Sequence, residues 1–169
     1  MNKKGFTLIE ILITSAVLFI LLGALYSFFN SNYKILFEEK RKAYIESQVK
    51  SFMDFTMQSL QMSYQEKIEV TDGGKKLILY LPPNDDSKVE FDAEKSVNIE
   101  INYEDDSIVI TKNGVDKTIL KGFVKYFEIK KILYDNGDLE SIEIKFKVNY
   151  DFKFRNIDKD YLIKYNIRK

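Results

Sequence analysis

The sequence predicts an α+β protein: one long N-terminal helix, apolar and then amphipathic, packed on a mainly antiparallel β-sheet head. Three observations carry this. The run FTLIEILITSAVLFILLGALYSFF fills Phe6 to Phe29 with Glu10 as its only formal charge. Neither Pro nor Gly interrupts the chain from Ala24 to Glu69. From Lys67 onward apolar residues return at every second position, the period of a strand with one face buried.

As a helix, the first run would extend about 36 Å at ~1.5 Å per residue, against ~30 Å of bilayer hydrocarbon. A membrane-spanning helix is therefore expected. A short basic leader, MNKKG, precedes it without a spacer. A cleaved secretory signal would end its apolar core after roughly 7–15 residues at a small-residue site. A cut near Ser15 and Ala16 would leave Val17 to Phe29 as an apolar N-terminus with nothing to cover it, so a retained anchor is the better reading. Inside such an anchor a carboxylate costs on the order of 2.5–3.5 kcal/mol, which marks Glu10 as a functional residue in need of a partner. The expected organisation is a leader over residues 1–5, an apolar helix over 6–29, and a head over 30–169 that includes the second half of the helix.

That second half runs to about Tyr64. Phe37, Ile45, Val49, Phe52, Thr56 and Leu60 recur at roughly helical spacing with Met53 beside them, while Glu38, Glu39, Lys40, Arg41, Lys42, Glu46 and Lys50 lie elsewhere. Tyr33 and the Phe and Met positions read as ordinary helix-contact residues. Next, Lys67 to Val70 and Lys76 to Leu81 flank Thr71 to Gly74, a hairpin in which glycine supplies positive φ. Val97, Ile99, Ile101 and Tyr103 form one face of a strand. A tight turn at Glu104 to Asp106 returns the chain through Ser107 to Thr111, and Asn113-Gly114 turns it again into Val115 to Leu120. A long strand from about Phe123 to Tyr134, a turn at Asn136-Gly137, and alternation over Ile142 to Tyr150 follow. A last strand, Tyr161 to Ile167, completes the head, and Pro82 to Asp86 reads as a loop.

Composition narrows the chemistry. The chain of 169 residues carries 26 Lys+Arg and 26 Asp+Glu, so no global field draws it to nucleic acid. Without Cys or His, disulfides, Ser-His or Cys-His catalysis and most transition-metal sites are excluded. No Gly-rich phosphate loop, H-E-x-x-H or nucleophile elbow occurs. Asp85-Asp86 and Asp105-Asp106 fall in predicted turns, where Asp serves local backbone bonding. Asp135 to Asp138 lacks the length and terminal glutamate of an EF-hand loop. No catalytic residue, metal site or cofactor is expected. A basic, aromatic-rich stretch, Lys145 to Lys169, raises a DNA-binding alternative, but alternation turns many of its aromatics inward and whole-chain neutrality opposes it.

The leader ending in Gly5, then Phe6, Thr7, Leu8, Ile9 and Glu10, then a continuous apolar anchor, resembles the N-terminus of type IV prepilins and type II secretion pseudopilins. The resemblance implies a pilin-like fold and a non-enzymatic structural subunit. It also implies cleavage by a prepilin peptidase after Gly5, N-methylation of the new terminus at Phe6, and assembly with other pilin or pseudopilin subunits. Glu10 occupies the family's glutamate position. There a carboxylate at membrane depth gains most by pairing with the cationic amine of Phe6, from its own or a neighbouring chain.

Further along, Val97 to Thr111 and Ile119 to Val148 resemble the minor-subunit group that includes PilW and the J pseudopilin of type II secretion, with Ile119 to Val124 fitting the turn into the long strand loosely. A single-pass cytoplasmic-membrane protein with an extracytoplasmic head, carried to the cell surface on assembly, follows from the resemblance. Lys3 and Lys4 agree with that orientation, while Lys34, Lys40, Arg41 and Lys42 on the other flank oppose it. Competence-type and type II secretion pseudopilins are the alternative roles within the same resemblance.

Overall fold

The computed structural model describes residues 7–83, 90–135, 137–152 and 155–167. Helix α1 spans Leu8–Met62. Among the described residues eight strands follow: β1 Glu69–Thr71, β2 Lys76–Leu81, β3 Val97–Glu104, β4 Ser107–Lys112, β5 Val115–Ile119, β6 Val124–Leu133, β7 Leu139–Phe152 and β8 Arg155–Asn166. The fold class is α+β, with one long apolar N-terminal helix and an antiparallel head, consistent with a pilin-like fold. Two compact units divide the chain, residues 1–43 and 44–169.

In the first unit the described chain is helix with no covered apolar side chain. Leu8, Phe19, Ile20, Tyr26 and Phe29 are each at least 66% exposed. Three of its polar side chains turn back on the helix. Thr14 Oγ1 donates to the carbonyls of Glu10 and Ile11, Ser15 Oγ to that of Leu12, and Asn32 Nδ2 to that of Phe28. Each of these three groups thus finds an acceptor without water, which is what a lipid environment demands.

The second unit holds the core. Ile45, Val49, Phe52, Thr56, Ser59 and Leu60 form the buried stripe of α1. The expected stripe is shorter at its start: Phe37 is 61% and Tyr33 70% exposed. Phe37 lies eight residues before Ile45, which at ~100° per residue sets it about 80° off the stripe. Glu38 and Arg41, seven and four residues before Ile45, occupy the positions that would continue it.

All pairings are antiparallel, and the strands divide over two sheets, ordered β1-β2-β3-β4-β5 and β6-β7-β8. Leu77, Ile101 and Ile110 are register partners across the first sheet, all buried. Phe52 joins the two layers to the helix, edge-on to Phe146 at 5.3 Å and tilted against Phe127 at 6.5 Å; Phe127 stacks on Tyr103. The Asp72–Gly74 turn also touches both sheets. A Cβ on Gly74, at φ +88°, would lie 2.8 Å from the carbonyl oxygen of Ile129 in β6, so only glycine allows this approach.

The predicted turns fall where expected. Asp105 and Asp106 have φ of 48° and 56°, and Asn113 and Gly114 have 50° and 78°, as a two-residue hairpin turn requires. Gly137 is at φ 87°, while Asn136 and Asp85-Asp86 lie outside the described residues. One strand is longer than its apolar alternation suggests: β8 begins at Arg155, not Tyr161, pairing Asn149 with Asp158 and Tyr150 with Ile157.

Candidate functional site

Glu10 is the third residue of α1, and its carboxylate closes the helix start. Oε2 accepts the backbone N–H of Thr7 at 2.9 Å and the Thr7 hydroxyl at 3.0 Å. In return the N–H of Glu10 reaches the Thr7 carbonyl at 3.0 Å and Thr7 Oγ1 at 3.4 Å. Thr7 is the N-cap and Glu10 the N3 residue of a capping box, in which two otherwise orphaned N–H groups are satisfied reciprocally. The box turns the anion toward the start of the chain, where the helix dipole also favours negative charge. Gly5 and Phe6 lie outside the described residues.

Thr7 was not among the residues expected to matter. Its signal is the spacing Thr7-Leu8-Ile9-Glu10, a Thr followed three residues later by Glu at the head of an apolar run.

Beyond Glu10 no charged residue occurs until Lys34. The helix is long and apolar enough to cross a membrane, and none of its most apolar window is buried. A capped start, one carboxylate and an uncovered apolar helix therefore meet within residues 7–33. Residues 1–26 match the family model of the prokaryotic N-terminal methylation motif. The chain thus carries a type IV pilin-like signal, of the kind borne by precursors of structural subunits that a prepilin peptidase processes and that assemble with one another. Its apolar helix fits the single-pass anchor of a pilin-type protein. No curated protein and no solved structure matches the chain.

Other groups singled out in the sequence make local contacts. Asp106 accepts from Tyr103 Oη and from Lys125 Nζ, each at 3.1 Å, and these partners, Lys125 foremost, hold its carboxyl below the ordinary aspartate value. In the Asp135 to Asp138 segment, Gly137 N–H donates to the Tyr134 carbonyl and Tyr134 N–H to the Asp138 carbonyl. Among the described residues no three acidic side chains converge as metal ligands would.

In the basic C-terminal stretch, Lys145 and Lys164 both pair with Glu143, Lys147 with Asp160, and Lys159 with Glu46. Phe146, Tyr150 and Tyr165 are buried. Burial, and then a 2.6 Å hydrogen bond with Tyr161, push the Tyr150 phenol far up.

Proposed function

We propose that this chain is a minor pilin or pseudopilin: a structural subunit cut after Gly5, methylated at Phe6, and built into or priming a type IV pilus-like filament. Residues 1–5 then act as a leader, 6–29 as the membrane and assembly helix, and 30–169 as an extracytoplasmic head reaching the cell surface on assembly. The observation that carries the reading is the methylation-motif match over residues 1–26, together with a helix from Leu8 onward whose most apolar window is unburied. Such a surface is unstable in water and calls for lipid or neighbouring helices.

Glu10 supplies assembly register. Oriented toward the chain start by Thr7, its carboxylate receives the ammonium of Phe6 from an adjoining subunit, which relieves an anion that lipid penalises. Placement near PilW and the J pseudopilin rests on the resemblance of residues 97–111 and 119–148 alone. A competence-type role is the second reading, and the paired lysines and inward aromatics of residues 145–167 speak against DNA binding by that stretch.

Mass spectrometry of the native protein tests this: the expected N-terminus is methylated Phe6. An intact Met1 in cells with active prepilin peptidase would overturn it. Glu10→Ala is expected to insert in the membrane yet be lost from filaments, and normal incorporation would remove the pairing role.

A further inference from the structure

β5 is the open edge of the first sheet: β4 lies on one side and, among the described residues, no strand lies on the other. Its register partners set its faces. Ile110 opposes Lys117, Ile108 opposes Ile119 and Lys112 opposes Val115, so Val115, Lys117 and Ile119 share the face of buried Ile108 and Ile110. There a groove of about 470 Å³ opens between β4–β5 and α1, floored by Phe52, Phe55, Ile110 and Ile119. Val115 lines it while 71% exposed.

The groove's charge is one-sided. Lys112 and Lys117 line it, no acidic side chain does, and neither lysine has an ion-pair partner among the described residues. Asp116 belongs to the opposite face, where it accepts from Thr111 Oγ1 at 2.6 Å. An antiparallel ladder also turns half of an edge strand's N–H and C=O groups outward. Backbone groups along one side, an apolar floor and two free cations together define a strand-accepting site.

We propose that β5 is a docking edge for an extended segment of a partner protein, with apolar, acidic and apolar side chains at alternate positions. The acidic residue faces Lys117, and the apolar residues face Val115 and Ile119 as cross-strand pairs. A second copy of this chain is disfavoured, because a two-fold antiparallel pairing centred on Lys117 sets lysine against lysine. The charge at the middle of the strand therefore selects an acidic partner and blocks self-pairing at once.

The test uses the full chain in lipid nanodiscs and fluorescence anisotropy of a labelled, end-capped peptide, TVTETVT. Saturable binding is expected, weaker by about tenfold for TVTKTVT, with the preference reversed in a Lys117→Glu chain. The rearranged peptide TTVEVTT, which puts Glu and Val on opposite faces, should bind poorly. Methylating alternate peptide amides should abolish binding for one of the two alternating sets and spare the other. Equal binding of TTVEVTT, an unreversed preference in Lys117→Glu, or no saturable binding would overturn the proposal and leave Lys117 as a guard of the edge. Displacement of TVTETVT by laurate with no effect of either amide methylation would assign the groove to a fatty-acid anion instead.

Discussion

Residues 8–33 and 44–62 belong to one helix, yet their side chains obey different rules. In the first part apolar residues occupy every face and none is buried; in the second a buried stripe runs from Ile45 to Leu60. Helix geometry is the same in both, so the difference lies in the solvent each part is written for. An all-round apolar helix satisfies its backbone internally and asks only for a non-aqueous surrounding. A striped one needs a partner of matching shape, here two sheets.

The largest test of this contrast replaces one phenylalanine from each part. Phe52 is 1% exposed and touches both Phe127 and Phe146. Phe52→Ala should destabilise the head by about 3–5 kcal/mol, measured by denaturant unfolding in micelles. Phe19, 71% exposed, should change head stability by less than about 0.5 kcal/mol when replaced by alanine. Similar losses from the two would mean that the parts do not differ as their burial indicates.

A smaller effect is expected at the helix start. Thr7→Ala removes the cap hydroxyl and should cost about 1 kcal/mol locally. Faster amide exchange at Glu10 and Ile11 in micelles would report it, with Thr7→Ser restoring protection and the head's unfolding midpoint unmoved. Unchanged exchange in Thr7→Ala would show that the box contributes nothing to the first turn.

Most of the fold was legible in the sequence because its signals are local. Asn113-Gly114 and Asp105-Asp106 announce left-handed turns, and two-residue alternation announces strands whatever their neighbours. Sheet membership was not legible, since alternation gives a strand its faces and not its partners. The early start of β8 was hidden because Asp158, Lys159 and Asp160 mask alternation on an edge strand, where charge is tolerated. Phe37 misled by residue type, its phase being wrong by most of a quarter turn. At the candidate site the charge of Glu10 stood out against its apolar surroundings, while Thr7, uncharged and within the same run, did not.

Acidification separates the two parts by charge rather than by packing. Asp106 titrates below the ordinary 3.8 because Lys125 and then Tyr103 favour its carboxylate, and Glu143 titrates below 4.5 chiefly because of Lys164. A carboxylate depressed by folding contributes stability above its unfolded pKa and loses that contribution as pH falls through its folded pKa. The head should therefore loosen below pH 3.8, and Lys125→Met should flatten that acid limb slightly, because exposed pairs contribute little. Residues 11–33 contain no Asp, Glu, Lys or Arg. Their helical signal in micelles should persist at a pH where near-ultraviolet signals of the head's tyrosines have begun to fade. Simultaneous loss of both signals would mean that the apolar helix draws its order from the head, and not from the surrounding lipid and its own backbone.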